Sequence, residues 1–263
     1  MDAAERELLT EALRKTMTPD TDADADAATG LADLGWPQML VEEPGTAVPL
    51  VFRLLGETGA HAPVLNDVLL HAAGRPLGGT LPLPYAGGAW VEWPRDGSGD
   101  GTALDPALPL RRVDPGDPVP LAAGRLALGW WLLGTGRAML ALARQHVLDR
   151  VQFGRPLASF QALRHRLAET YVALEGAEAA LAAAADDTGA LLAKAAAGRA
   201  ARTAARHCQQ ALGGIGFTAE HGLHRHVRRA LVLDGLLGSA RELTREAGAS
   251  LLREGRAPRL VDL

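Results

Sequence analysis

Phe160, Leu163, Leu167, Tyr171 and Leu174 recur at intervals of three and four residues, which aligns them on one face of a helix. That helix is predicted to begin near Ser159 and to run to about Ala185. Ahead of it, Leu121 to Ala143 (LAAGRLALGWWLLGTGRAMLALA) is apolar almost throughout. A long helix therefore ends near Arg150, and the turn Phe153-Gly154, with Pro156 behind it, joins the two. Downstream, Thr188 is placed to cap an alanine-rich helix that Gly213-Gly214 stops. A further helix over roughly Ala219 to Leu236 is broken by Gly238. Ser239-Ala-Arg-Glu242 then has the spacing of a capping box that opens a last helix through Leu252. Four long antiparallel helices of this kind make a bundle.

The pattern upstream is less regular. Leu8, Leu9, Ala12 and Leu13 give Asp2 to Met17 an apolar stripe, the mark of a first helix. The following TPDTDADADAATG has no apolar residue larger than alanine and reads as a mobile acidic loop. Leu50, Phe52, Leu54 and Leu55 lie between Pro49 and Gly56, and Val64, Leu65, Val68, Leu69 and Ala72 follow at helical intervals up to Gly74. Two or three short helices fit this text. From Arg75 to Pro120 proline and glycine become dense, and the apolar residues fall in brief extended runs at Ala89–Trp93 and Leu108–Val113, the pattern of short strands and loops. The expected fold is mainly α. It comprises an N-terminal helical segment over 1–74, a truncated small β region over 75–120 and a C-terminal antiparallel four-helix bundle over 121–263.

The 263 residues, 48% of them hydrophobic, suffice for one substantial core or two small ones. Net charge is −4, and the basic residues, nearly all arginine, are dispersed along the chain. Nothing in that distribution makes a nucleic-acid-binding face. The single cysteine, Cys208, excludes an intrachain disulfide and a multi-cysteine zinc site. The absence of an N-terminal apolar run argues against a signal peptide, so the cytoplasm is the expected compartment. Leu121 to Ala143 is long enough to span a membrane, but Arg125 and Arg137 lie inside it and four glycines loosen it. A buried helix is expected there instead.

Candidate chemistry concentrates at the turn. Arg150, Gln152 and Gln161 place a guanidinium and two amides around the aromatic Phe153, a set suited to a phosphate and a flat ring. An ordinary helix connection with surface polar residues has the same composition. His221, His224 and His226 invite a metal reading. Spacings of three and two do not put them on one helical face, and no carboxylate or thiol lies nearby in sequence, so no metal ligand is assigned. His165 reads as a packed or hydrogen-bonded histidine.

Residues 150–168, RVQFGRPLASFQALRHRLA, resemble the RxQFGxPxxxFQAxxHxxA signature of the acyl-CoA dehydrogenase family. The match covers Arg150, Gln152, Phe153, Gly154, Pro156, Phe160, Gln161, Ala162, His165 and Ala168. Gln210 to Phe217, QALGGIGF, resembles the QxxGGxGF loop of the same family, and residues 31–74 resemble its N-terminal helical domain. The resemblance implies FAD as cofactor. Its adenosine diphosphate half would be gripped across a subunit interface by Arg150, Gln152, Phe153, Gln161, Gln210, Gly213 and Gly214. The implied reaction is α,β-dehydrogenation of an acyl-CoA: a carboxylate removes the α proton while the flavin takes the β hydrogen as hydride.

Two departures qualify the likeness. The β region is less than half of what the family carries, and the position of the family's usual glutamate base falls on Leu237. An alternative base position in some members falls near Gly124, and Asp234 reaches the base position only through a gap of three residues. Arg125 aligns with an arginine that the family keeps beside its active site. No catalytic residue is therefore assigned in this chain. The resemblance is to the short subunit of heteromeric bacterial acyl-CoA dehydrogenases that act on CoA thioesters of steroid side chains. It implies a second dehydrogenase subunit, in an α2β2 assembly, that carries the flavin-ring pocket, the acyl-CoA site and the catalytic glutamate. Two alternatives remain at this stage: a self-sufficient enzyme using Asp234, and a non-enzymatic scaffold or acyl-CoA-binding protein.

Overall fold

The computed structural model describes residues 3–18, 27–98 and 104–255. Five helices come first: α1 (Ala3–Met17), α2 (Ala28–Asp33), α3 (Trp36–Glu42), α4 (Pro44–Thr58) and α5 (Val64–Ala72). A three-stranded antiparallel sheet follows, built from β1 (Pro82–Tyr85), β2 (Ala89–Glu92) and β3 (Arg111–Arg112) in that order. The C-terminal part consists of α6 (Ala122–Asp149), a hairpin of β4 (Val151–Gln152) and β5 (Arg155–Pro156), then α7 (Gln161–Ala183), α8 (Asp187–Leu212), α9 (Leu223–Gly235) and α10 (Ala240–Glu254). The chain is mainly α, as its periodicity predicts.

Most of the acidic stretch after α1, residues 19–26, lies outside the described residues. Its end differs from the expected loop: Ala27 is buried, and α2 begins at Ala28. Residues 31–74 hold four helices rather than two or three: Leu34 and Gly35 alone separate α2 from α3, Glu43 alone separates α3 from α4, and α4 runs straight through Pro49. A proline inside a helix forfeits one backbone hydrogen bond. Here burial of Val51, Phe52, Leu54 and Leu55 offsets that loss. Gly56 is no stop signal either, since α4 and α6 cross backbone to backbone at Gly56 and Gly134. A Cβ on Gly134 would lie 2.1 Å from the Arg53 carbonyl oxygen, and one on Gly56 would lie 2.4 Å from that of Trp131. The opposing atoms are backbone and cannot swing away. Gly134→Ala is accordingly expected to lower stability by about 1–3 kcal/mol, read as a drop in urea midpoint at constant m-value.

An aromatic row ties the regions together. Trp36 of α3 meets Phe52 of α4 edge-on at 6.2 Å, Phe52 meets Trp131 of α6 at 5.7 Å, and Trp93, just after β2, stacks on Trp131 at 5.7 Å. In the sheet Leu83 pairs with Val91, and both face the core. The small β region is thereby docked on the same core as the helices.

In the bundle α6, α7 and α8 are the long members, and α9 and α10 complete it against α6 and α8. Among the described residues α6 is the one helix long and apolar enough to cross a membrane. Here it is a core helix: Leu128, Trp131, Leu132 and Leu133 are fully buried, and α4, α7, α8 and α9 pack around it. Its arginines reach carboxylates, Arg125 pairing with Glu246 and Arg137 with Glu175 and Glu178. The cap of α8 is Asp186, whose carboxylate accepts from the Gly189 amide at 2.6 Å, rather than Thr188. The capping box at Ser239 and Glu242 forms as its spacing predicts. Gly213–Phe217 winds into a 3₁₀ turn after Gly213 ends α8, turns and bends occupy 218–222, and helix α9 begins only at Leu223.

Candidate functional site

The β4–β5 hairpin has a two-residue loop in which Phe153 (φ 54°) and Gly154 (φ 77°) both adopt left-handed backbone. Positive φ at both positions is what a tight hairpin loop demands. Glycine takes it freely; a phenylalanine there costs on the order of 1–2 kcal/mol. That strain is held by a fixed frame, in which the Leu157 amide donates to the Arg150 carbonyl at 2.9 Å and Ser159 Oγ donates to the Pro156 carbonyl at 2.8 Å. The Arg155 guanidinium lies 4.2 Å over the Phe160 ring, and Phe160 meets Phe153 edge-on at 6.1 Å. The result is a Phe153 ring 87% exposed at the hairpin tip. Val151, Phe217, Tyr171 and Val172 are exposed as well.

Beneath the hairpin a cavity of about 500 Å³ opens between the end of α6 and the end of α8. Five of the seven residues singled out in the sequence line it: Arg150, Gln152, Gln210, Gly213 and Gly214. Gly213 has φ 65° and ψ −140°, and nothing lies within 4 Å of where a Cβ would stand on Gly213 or Gly214, so the backbone of this loop is open to a ligand. The other two residues lie outside. Phe153 stands on the hairpin tip, and Gln161 is exposed as the first residue of α7. Sequence reasoning missed His146, which also lines the cavity. Its spacing of four from Arg150 in a helix was the available signal. Burial holds its imidazole below the ordinary value, the neighbouring His221 and Arg150 push the same way, and Asp149 opposes.

The donor set fits the adenosine diphosphate half of FAD: a guanidinium for bidentate phosphate contact, two amides, and an open glycine backbone, in a cavity of ligand size. Leu237 is 1% exposed with φ 55°, and a Cβ on Gly124 would lie 2.8 Å from Leu237 Cδ1 and 2.6 Å from Leu69 Cδ2. The two positions onto which a base could fall thus pack against each other, and neither is a carboxylate. The Leu237 amide donates to the Pro84 carbonyl at 2.8 Å, and Tyr85 bridges Leu236, so the α9–α10 connection is sealed by the edge of β1. Arg125 donates from Nε to the Leu237 carbonyl at 3.3 Å.

Asp234 faces away from this contact, toward α8. Its Oδ1 accepts from the Ala240 amide at 3.1 Å, a Cβ on Gly198 would lie 2.3 Å from that same oxygen, and Arg202 stands 3.9 Å from Oδ2. Fully buried Lys194 donates to the Asp234 and Gly238 carbonyls at 3.0 and 2.6 Å. Burial brings this lysine down to about 7, against the pull of Asp234. These contacts lock the connection rather than expose a base.

The histidines of the α9 region have structural partners. His221 Nδ1 accepts from the Leu223 amide, and His224 Nδ1 donates to the His221 carbonyl. His226 packs against Gly59 and is pushed down to about 4 by burial, then by Arg229 and Arg225. Among the described residues no three His, Cys, Asp or Glu side chains converge to hold a metal ion. His165, expected to be packed or hydrogen-bonded, is exposed, because the buried face of α7 runs through Thr170, Leu174, Ala177 and Leu181. The buried, hydrogen-bonded histidine is His207, whose Nδ1 lies 3.0 Å from Thr170 Oγ1.

Residues 119–251, just over half of the chain, match the family model described as acyl-CoA dehydrogenase, C-terminal domain. The chain belongs to the acyl-CoA dehydrogenase family, whose members are FAD-dependent flavoproteins. Among curated relatives, it is 35% identical over 168 residues to acyl-CoA dehydrogenase IpdE2 of Mycobacterium tuberculosis, covering 60% of this chain and 53% of that one. It is 40% identical over 141 residues to acyl-CoA dehydrogenase FadE34 of the same organism, covering 49% and 20%. The chain thus spans about half the length of IpdE2 and less of FadE34. Among solved structures, a variant of the Tcur3481-Tcur3483 steroid ACAD aligns with TM-score 0.70 at 20% identity, covering 96% of this chain and 98% of that one. The ChsE4-ChsE5 complex of Mycobacterium tuberculosis aligns with TM-score 0.68 at 17% identity, covering 98% of each. These two likenesses establish the shared fold.

Proposed function

We propose that this chain is the supporting subunit of a heteromeric FAD-dependent acyl-CoA dehydrogenase. It supplies the adenosine diphosphate end of a cofactor site shared across a subunit interface, while a second dehydrogenase subunit supplies the flavin-ring pocket, the acyl-CoA site and the catalytic glutamate. One contrast carries the reading: five of the seven candidate residues line a single cavity, whereas Gly124 and Leu237 meet in apolar contact. When bound, FAD would supply the hydride acceptor for the β hydrogen. The residues of this chain do the holding: Arg150 donates to the diphosphate, Gln152 and Gln210 offer amides, and the Gly213-Gly214 backbone lets the ligand approach. The exposed Val151, Phe153 and Phe217 lie close to the lining residues in sequence and fit a partner subunit that covers the cofactor. For the substrate we favour a CoA thioester of a steroid side chain, a reading that draws support from the likeness to the Tcur3481-Tcur3483 steroid ACAD.

The test is flavin absorbance of the chain purified alone and co-expressed with a candidate second dehydrogenase subunit. Colour only in the co-expressed pair is expected; a stable yellow single-chain enzyme that turns over acyl-CoA would overturn the proposal. Within the pair, Arg150→Ala is expected to weaken FAD retention by about 1.5–3 kcal/mol, the worth of a hydrogen bond to a charged group. Unchanged FAD content and melting temperature would remove Arg150 from the site.

A further inference from the structure

We propose that His146 is a second cationic contact to the diphosphate of the bound nucleotide, and that it takes up a proton as the nucleotide binds. The inference rests on the cavity being the adenosine diphosphate site. His146 sits in the last turn of α6, four residues before Arg150, so both side chains leave the same face of the helix and line the same cavity. The carboxyl end of a helix favours a cation, and His146 is its basic residue in that turn. Its ring makes no hydrogen bond to another described residue and is half-buried against the cavity.

The charged groups acting on this ring are His221, from the turn before α9, and Arg150 and Asp149 at the end of its own helix. The hairpin contributes the neutral Gln152 to the cavity wall, α7 contributes Leu163, and α8 contributes Gln210. Asp149 is itself held by Gln145 Nε2 at 2.7 Å. Without a ligand, burial first and then His221 and Arg150 disfavour the imidazolium. A diphosphate reverses the sign of the local field: it neutralises Arg150 and places negative charge in the cavity, so the imidazolium becomes the favoured form. Nucleotide affinity then falls as pH rises through the value that His146 has in the complex.

The probe is ADP-ribose, a diphosphate diester whose own charges stay fixed across neutral pH. Calorimetric titration of the full chain and of its complex at pH 6 and pH 8, in buffers of different ionisation enthalpy, reads affinity and proton uptake together. Binding on the order of tenfold tighter at pH 6, with net proton uptake between those values, is expected. His146→Gln should flatten the pH dependence and abolish the uptake. The proton count on the unaltered protein stands even if that variant folds poorly. Binding without uptake, or a pH dependence that survives His146→Gln, would overturn the role of His146 and leave the nucleotide site in place. No ADP-ribose binding at either pH, alone or in the complex, would overturn the nucleotide site and this inference with it.

Discussion

Replacing Arg229 with alanine is expected to destabilise the protein by about 3–5 kcal/mol, the cost of stripping one partner from a buried ion pair. Both members of this pair are buried, with Arg229 3% and Asp105 5% exposed. The guanidinium gives Nε to Asp105 and Nη1 to the carbonyls of Gly59 and Ala60, at 3.2 and 2.9 Å. One side chain of α9 thus holds the end of α4 and the loop before β3 together. Without it, Asp105 keeps, among the described residues, the Ala107 amide at 3.2 Å, and two carbonyls lose a donor. A loss of this size is about a fifth or more of the stability of an ordinary domain. Urea unfolding measures it, and a variant within about 1 kcal/mol of the parent would refute the argument. Substituting Arg229→Met together with Asp105→Leu should recover most of the loss, since an apolar pair of similar volume can replace a buried ion pair at little net cost.

This ion pair was invisible in the sequence, and the reason is general to what was and was not legible. Local chemistry was: the Phe153-Gly154 turn, the Ser239–Glu242 capping box and the stop at Gly213 depend on neighbours in the chain, and they form as read. Contacts between distant segments were not. Pro49 and Gly56 look like helix boundaries until α6 presents Gly134 to the same helix, after which Gly56 is the residue that permits the crossing. Thr188 has the chemistry of a cap, but the side chain that reaches the Gly189 amide is the Asp186 carboxylate. At the candidate site, the motif text delivered Arg150, Gln152, Gln210, Gly213 and Gly214 to one cavity, but Phe153 and Gln161 point elsewhere within this chain. On the proposed reading, those two meet the cofactor or the partner only in the assembled pair. His146 escaped notice because it belongs to no motif.

Replacing Asp234 with asparagine is expected to leave the chemical step nearly intact, whereas removing the partner's glutamate should slow it by about 10²–10⁴-fold, the usual contribution of a general base. Asp234 is the one carboxylate of this chain that an alignment gap could bring to the base position. Its geometry argues for a different task. Oδ1 accepts the first amide of α10, Gly198 closes over that oxygen without a side chain, and Lys194 ties the backbone of Asp234 to that of Gly238. A base must present an oxygen within hydrogen-bond reach of the α proton, with room for the thioester beside it. Asparagine keeps the shape and an Oδ1 that can accept from Ala240. It gives up only the charge, whose ion pair with Arg202 is long at 3.9 Å and partly exposed. The stability change should therefore stay within about 1 kcal/mol. The readout is single-turnover flavin reduction by an acyl-CoA in the assembled pair, which isolates the chemical step from binding and product release. A loss of more than about a hundredfold in Asp234→Asn, with FAD still bound, would make Asp234 the base and this chain the catalytic subunit.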